Sequence, residues 1–179
     1  ETFVAIKAEI NNWRWSGVPF YLRTGKKLRE SVAEIAIVFK TPHYTVFGNL
    51  TTPLRSNTLV IRLQPDEGLS LSVMTKDPGP GGFRLNDSVL DMSFCETLPP
   101  GARIPDSYER LLMDVIRGHQ TLFMRRDEVE EAWKWIDPII QAWQESGIAP
   151  ETYDAGSSGP AGSMELTARD GRRWREIRC

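Results

Sequence analysis

Residues 58–75 read TLVIRLQPDEGLSLSVMT, a strand–turn–strand pattern that sets the class of the fold. A strand is predicted over residues 58–64. In it Leu59, Ile61 and Leu63 recur at every second position and are predicted to point inward, while Arg62 and Gln64 share the opposite face. The PDEG turn then leads into a second alternating run. Because strands joined by short turns pair side by side in opposite directions, the pattern predicts an antiparallel sheet.

Alternation of the same kind extends through the first half of the chain. Further strands are predicted over residues 2–10, 20–22, 34–39, 69–75 and 89–94. Residues 77–82 are rich in Pro and Gly and are predicted to form a loop.

The second half changes to helical spacing. Asp106 or Ser107 is predicted to cap a helix that runs to about Arg117 and stops at Gly118. Its predicted buried side consists of Leu111, Leu112, Val115 and Ile116. Asp127 is predicted to cap a second helix that ends at Gly147. A kink or a break is expected in it at Pro138, because proline removes a helical hydrogen bond. Further features of this half are a Gly/Ser/Pro-rich tail over residues 148–179 and a short helix over 163–167. Together the two halves predict an α+β fold, with a large, mostly antiparallel sheet and helices packed on one face.

Composition narrows the class of protein. The chain has 179 residues and a net charge of −2, which predicts one core and no broad basic surface for nucleic acid or membrane. Cys95 and Cys179 are far apart and are predicted to be reduced thiols in a cytoplasmic protein. His43 and His119 belong to no ligand cluster, so no metal site is predicted. No G-x-G-x-x-G segment follows a strand, so the dinucleotide fingerprint is lacking.

The most informative segment for function is WRWSGVPFYLRTGKKL, residues 13–28. It passes from an aromatic cluster through an apolar strand into a Gly turn that carries Arg23, Lys26 and Lys27. Positive charge at the end of a strand is suited to binding an anionic group such as a phosphate.

Five segments of the chain resemble the C-terminal domain of bacterial glucose-6-phosphate dehydrogenase. They are ETFVA (1–5), GVPFYLRTGK (17–26), VIRLQPDEG (60–68), SYERLLMD (107–114) and DEVEEAW (127–133). The likeness is collinear and covers all 179 residues, which are assigned to this one domain. It implies that an NADP-binding Rossmann domain and a catalytic His in an H-Y-L-G-K-E type motif precede this region. No such motif is present, so neither His43 nor His119 receives that role, and the chain is expected to be a piece of a longer enzyme.

The resemblance also implies a substrate site. The lysine after R-T-G, Lys26, is expected to hold glucose 6-phosphate through its phosphate or nearby hydroxyls. A second basic position of the family falls on Ser31, so either Arg29 supplies the missing charge or the phosphate is held more weakly. Gln64 matches a residue near the substrate. No catalytic residue is assigned to this chain.

Some relatives carry a second, structural NADP in this domain. Arg23, Arg62 and Asp91 match three of its contacts. Its aromatic and other basic contacts are replaced by small residues, here Ser70, Ser72 and Ala36. The second NADP site is therefore predicted to be absent, and Arg23 and Arg62 are expected to be structural, paired with carboxylates such as Asp91.

For the longer enzyme the resemblance implies oxidation of D-glucose 6-phosphate to 6-phospho-D-glucono-1,5-lactone with NADP, in the oxidative pentose phosphate pathway. This part is implied to contribute substrate binding and a homodimer or homotetramer contact through the sheet, and the isolated chain is predicted to be inactive. The alternative is a non-catalytic binding or assembly module with the same fold, which Ser31 favours slightly.

Overall fold

The computed structural model describes residues 2–44, 54–80, 84–94, 96, 99 and 105–177. The described strands are β1 (Phe3–Glu9), β2 (Pro19–Gly25), β3 (Ala33–Val38), β4 (Thr58–Gln64), β5 (Gly68–Lys76) and β6 (Leu85–Ser93). The described helices are α1 (Ser107–Arg117), α2 (Arg126–Ser146) and α3 (Ala161–Ala168). The predicted α+β class is confirmed. Predictions that concern Glu1, Gly81, Gly82, Cys95 and Cys179 fall outside the described residues.

The chain divides into two compact units. One comprises Glu1–Leu98 with Thr152–Cys179 and contains all six described strands and α3. The other, Pro99–Glu151, contains α1 and α2. The segments that carry the predicted substrate residues all belong to the first unit.

The described strands are antiparallel as predicted, but they form two sheets where one large sheet was expected. β1 pairs with β2 in a two-stranded sheet, and β3, β4, β5 and β6 follow one another in a four-stranded sheet. The break falls between β2 and β3, which are consecutive in sequence but do not pair. Alternation shows that a segment is a strand, but it does not show which neighbour the strand pairs with, and here β2 pairs with β1.

Val60, the buried apolar residue of the four-stranded sheet, lies on the face opposite to the one predicted to point inward. Val60 is only 4% exposed, whereas Leu63 on the other face is 47% exposed. The C-terminal segment explains this difference. Its Arg175 pairs with Glu34, and Glu34 stands directly opposite Arg62 on the Val60 face. The two faces of an alternating strand are visible in a sequence, but which of them a distant segment covers is not.

The other face of this sheet is apolar in every strand. Ile61 stands opposite Ile35 and Leu69, and Leu69 stands opposite Met92. Ile35 and Met92 are 49% and 42% exposed. The described part of the chain therefore leaves an apolar sheet face partly open to solvent.

The C-terminal tail packs on the two-stranded sheet through α3. α3, predicted over residues 163–167, runs from Ala161 to Ala168 and contacts β1. The indole N–H of Trp174 donates to the carbonyl of Ser163 at 2.7 Å, which ties the last residues to α3. The tail thus becomes part of the unit that contains the strands.

The helix ends of the second unit agree with the predicted caps except at the start of α2. Asp106 caps α1, and Gly118 ends it in the left-handed conformation with a φ of 70°, both as predicted. The predicted cap of α2 at Asp127 is wrong, because the cap lies two residues earlier, at Arg125, and the helix begins at Arg126. The Glu128 carboxylate accepts from the Arg125 N–H at 3.0 Å, as the third helical residue does in a capping box.

α2 continues through Pro138, so, of the predicted kink or break, the break does not occur. Twelve helical residues precede the proline and eight follow it within Arg126–Ser146, and their hydrogen bonds outweigh the loss at one position. The predicted buried side of α1 is also not found, because Val115 and Ile116 are 62% and 78% exposed. An amphipathic pattern marks an apolar side, but it does not place a partner against that side.

Candidate substrate site

Lys26 occupies a turn whose backbone is fixed by distant residues. It follows directly on Gly25, the last residue of β2. The Lys26 N–H donates to the Thr2 carbonyl at 2.8 Å, and the Lys26 carbonyl accepts from the Tyr153 hydroxyl at 2.7 Å. A side chain at Gly25 would meet the Phe3 ring at 2.6 Å, so only glycine fits there. The Lys26 side chain itself is exposed, which leaves its ammonium accessible to an anion.

The next residues of the turn are held by the C-terminal segment. Lys27 has a φ of 50°, in the left-handed region that costs a non-glycine residue energy. Gly156 N–H donates to the Lys27 carbonyl at 2.8 Å, and Arg29 N–H donates to the Ser157 carbonyl at 3.0 Å. These two bonds compensate for the strain and fix the path of the chain from β2 toward β3.

Three of the four predicted substrate-binding residues line one cavity of about 900 Å³. They are Arg29 and Ser31, from the connection between β2 and β3, and Gln64, the last residue of β4. Lys26 does not line this cavity, although its neighbours Gly25 and Leu28 do. The volume falls within the range of small-molecule pockets, about 300–1,000 Å³. The structure therefore brings Arg29, Ser31 and Gln64 together and places Lys26 on the adjacent turn.

The far wall of the cavity was missed by sequence reasoning. It includes Arg172, Arg173, Trp174 and Arg175, which follow α3. The segment reads GRRWR, residues 171–175, and places three arginines within four residues of a chain whose net charge is only −2. That density is the same signal that singled out the turn at Lys26, so it was available in the sequence.

Arg23 is held inside this wall by an aromatic ring. Its guanidinium lies 4.8 Å from the centre of the Trp174 ring, a cation–π contact, and donates to the Arg175 carbonyl at 3.2 Å. Burial lowers the pKa of the Arg23 guanidinium, and the Glu34 carboxylate opposes that effect. Arg23 is thus engaged by the chain's own C-terminal residues.

The remaining residues that match the second NADP site are also engaged within the chain. Arg62 pairs with Asp91 at 3.1 Å, across the four-stranded sheet. Arg175 makes two bonds to the Glu34 carboxylate, at 2.7 and 2.9 Å. The absence of a second NADP site stays a prediction, and these internal ion pairs support it.

A second polar cluster joins the tail to the two-stranded sheet. The Asp170 carboxylate accepts from the Tyr21 hydroxyl of β2 and pairs with the Lys7 ammonium of β1 at 2.8 Å. The hydrogen bonds from Lys7 and then from Tyr21 lower the pKa of Asp170. The bond to Asp170 raises the pKa of Lys7, and burial together with the same carboxylate raises the pKa of Tyr21.

This cluster predicts how stability depends on pH. Asp170 has a lower pKa in the folded than in the unfolded protein, so its contribution is present above about pH 4 and is lost as the pH falls through the folded value. Lys7 and Tyr21 have raised pKa values, so their contributions are lost at the alkaline end, as the pH rises through their folded values. Urea midpoints measured against pH are expected to fall less steeply on the acid side for Asp170→Asn than for the wild type. Asp137→Asn, on an exposed position of α2, is the matched control. If the urea midpoints of Asp170→Asn and the wild type fall equally steeply as the pH is lowered, the prediction is contradicted.

The described residues show neither a group arranged for a metal ion nor a membrane-spanning helix. No group of three or more His, Cys, Asp or Glu side chains there is arranged to hold a metal ion. His43 and His119 do not line the cavity. Of the described helices, none combines the length and hydropathy needed to cross a bilayer.

Comparison with known proteins identifies the family. The family model described as glucose-6-phosphate dehydrogenase, C-terminal domain, matches residues 1–175. The chain belongs to this family. Among curated relatives, it is 56% identical over 176 residues to glucose-6-phosphate 1-dehydrogenase of Rhizobium meliloti, covering 98% of the chain. It is 52% identical over 174 residues to the protein of the same name from Mycolicibacterium smegmatis, covering 97% of the chain.

Solved structures of this family superpose on the whole chain. Glucose-6-phosphate dehydrogenase in complex with its substrate glucose-6-phosphate matches with a TM-score of 0.83 and 34% identity, over 98% of this chain and 35% of that one. Glucose-6-phosphate 1-dehydrogenase from Mycobacterium avium matches with a TM-score of 0.81 and 32% identity, over 100% of this chain and 36% of that one. The chain spans about a third of the length of its relatives, 35% and 34% of the two curated proteins.

Proposed function

We propose that this chain is the substrate-binding and oligomerisation part of an NADP-dependent glucose-6-phosphate dehydrogenase. The longer enzyme would oxidise D-glucose 6-phosphate to 6-phospho-D-glucono-1,5-lactone in the oxidative pentose phosphate pathway. The observation that carries the proposal is the family match over residues 1–175, together with a rigid Lys26 turn beside the cavity. No dinucleotide fingerprint occurs in the sequence, so residues of this chain do not fit the coenzyme site and no hydride step is assigned to them. The isolated chain is accordingly proposed to be inactive.

The proposed substrate roles follow from the side chains. The exposed Lys26 ammonium would make a charge-assisted hydrogen bond to the phosphate or a neighbouring hydroxyl of the sugar. Arg29 would supply the second cation, because it lines the same cavity wall as the neutral Ser31. Ser31 and Gln64 each carry a donor and an acceptor suited to sugar hydroxyls.

Lys26→Ala, introduced into a full-length dehydrogenase that carries this domain, tests the proposal. A charge-assisted hydrogen bond contributes about 1.5–3 kcal/mol, so the KM for glucose 6-phosphate is expected to rise about 10- to 100-fold. Because the bond is made to a group that does not react, kcat is expected to change much less than KM. Steady-state kinetics with glucose 6-phosphate varied at saturating NADP gives both constants.

Lys27→Ala provides the matched control, since it removes the same charge one residue away. An exposed charge that makes no direct contact is screened by salt, so a change in KM of about twofold or less is expected. An unchanged KM for Lys26→Ala would favour the alternative, a non-catalytic assembly module, for which the neutral Ser31 is the supporting observation. Equal effects of the two variants would show general charge attraction and would contradict the specific role of Lys26.

The proposed self-association uses the apolar face of the four-stranded sheet. Ile37 and Leu90 on this face are 41% and 64% exposed, in addition to Ile35 and Met92. Exposed contiguous apolar surface of this kind is typical of interaction sites. We propose that a homodimer or homotetramer forms through it, and that the protein is cytoplasmic, as its two widely separated cysteines suggest.

A further inference from the structure

The Tyr153 hydroxyl lies where three segments of the first unit meet. Its oxygen is 2.7 Å from the Lys26 carbonyl oxygen, 3.0 Å from the Thr2 carbonyl oxygen and 3.4 Å from the Thr2 hydroxyl. A phenol has one proton to donate, and the Lys26 carbonyl is its nearest acceptor. The Tyr153 ring packs edge-on against Phe3 with 5.5 Å between ring centres, which fixes where the hydroxyl points.

This hydroxyl completes the backbone bonding of Lys26. The Lys26 N–H is already bonded to the Thr2 carbonyl, and the Tyr153 hydroxyl satisfies the Lys26 carbonyl. Neither bond involves a residue close to Lys26 in sequence, and 127 positions separate it from Tyr153. The direction of the Lys26 Cα–Cβ bond therefore depends on a side chain of the C-terminal tail.

The rest of the turn is poorly suited to hold its shape without this bond. Lys27 has a left-handed backbone with a φ of 50°, a conformation that a non-glycine residue adopts only under outside constraint. Gly156 and Ser157, which provide that constraint to Lys27 and Arg29, follow Tyr153 within four residues. Tyr153 thus holds Lys26 directly and also fixes the following segment, whose Gly156 and Ser157 bond to the turn.

We propose that Tyr153 is a positioning residue for substrate binding, which orients the Lys26 turn through its hydroxyl. The proposal rests on the role given to Lys26 above. Tyr153 itself is not placed in contact with the substrate. The Tyr153 hydroxyl raises the fraction of molecules in which the Lys26 turn places the ammonium within reach of the sugar phosphate. It therefore affects KM and not the rate of the chemical step.

Tyr153→Phe in the full-length dehydrogenase isolates the hydroxyl, because it keeps the ring contact with Phe3. The KM for glucose 6-phosphate is expected to rise about three- to tenfold, the effect of one lost hydrogen bond, with kcat nearly unchanged. Tyr44→Phe, at a side chain that is 93% exposed, is the matched control and is expected to leave KM at its wild-type value. In a double variant with Lys26→Ala, Tyr153→Phe is expected to add no further rise in KM, because the group it orients is gone.

The outcomes separate the inference from the function on which it rests. If Lys26→Ala raises KM and Tyr153→Phe leaves it unchanged, the positioning role is overturned and the substrate site stands. A rise in KM for Tyr153→Phe that persists in the Lys26→Ala background also overturns the role, since it shows an effect that does not pass through Lys26. If Lys26→Ala itself has no effect on KM, the proposed function fails first. A lowered melting temperature with no change in KM marks a merely structural tyrosine and overturns the inference.

Discussion

Gly159→Ala is expected to lower the free energy of unfolding by about 3 kcal/mol or more. Gly159 has a φ of 106°, a backbone conformation that side chains rarely adopt. A β-carbon there would lie 2.5 Å and 2.8 Å from two atoms of the Phe3 ring. The Phe3 ring has little room to move away from this β-carbon, because Gly25 lies close against the same ring and Tyr153 packs on its edge. Urea unfolding followed by tryptophan fluorescence measures the loss.

Gly171→Ala separates the two causes of this effect. Gly171 also has a positive φ, 66°, but nothing lies within 4 Å of a β-carbon placed there. It is therefore expected to lose only about 1 kcal/mol, the cost of the backbone conformation alone. Combining Gly159→Ala with Phe3→Leu is expected to cost less than the sum of the two changes, because the smaller side chain makes room. Equal losses for Gly159→Ala and Gly171→Ala would show that the contact with Phe3 does not matter.

Trp174→Ala is expected to destabilise the protein by about 3 kcal/mol. The indole contacts Arg23 at 4.8 Å and the Tyr21 ring at 6.2 Å between centres, and it donates to the Ser163 carbonyl. Its loss would leave the Ser163 carbonyl without its donor and would remove the aromatic face that covers the half-buried Arg23. The same urea unfolding measurement applies.

Two further variants sharpen the test of Trp174. Trp174→Phe keeps an aromatic face for Arg23 and loses the N–H, so about 1 kcal/mol is expected for the missing hydrogen bond. Trp13→Ala removes an indole that is 89% exposed and is expected to change stability by no more than about 0.5 kcal/mol. If Trp13→Ala and Trp174→Ala cost the same, the network around Trp174 contributes nothing specific.

Local features of the fold were predictable, because they depend on neighbours in sequence. The alternation over Thr58–Gln64 gave β4 with both ends correct. Asp106 and Gly118 marked the ends of α1, since capping involves only the adjacent turn. The start of α2 was missed because Glu128 can cap from inside the helix, which made Arg125 the boundary and not Asp127.

The site was only partly predictable, because its walls come from distant segments. The position of Lys26 on a turn after a strand followed from the R-T-G-K pattern and the Gly before it. The cavity that joins Gln64 to Arg173 did not follow, since no spacing rule relates residues so far apart. The same limit applies to the two faces of β4, which are visible in the alternation of the sequence. The sequence did not show that Arg175 would bind Glu34 on the face that contains Val60.

The attachment of the tail to the first two strands has a consequence for biogenesis. Tyr21 and Asp170 are 149 positions apart, and Arg23 and Arg175 are 152 apart, so their contacts close very long loops and form late. On the ribosome, β1 and β2 emerge long before the tail and lack these partners until translation has passed Arg175. The α1–α2 unit can fold meanwhile from contacts within its own short span. The residues that follow α3 therefore determine when β1 and β2 become protected from aggregation and proteolysis.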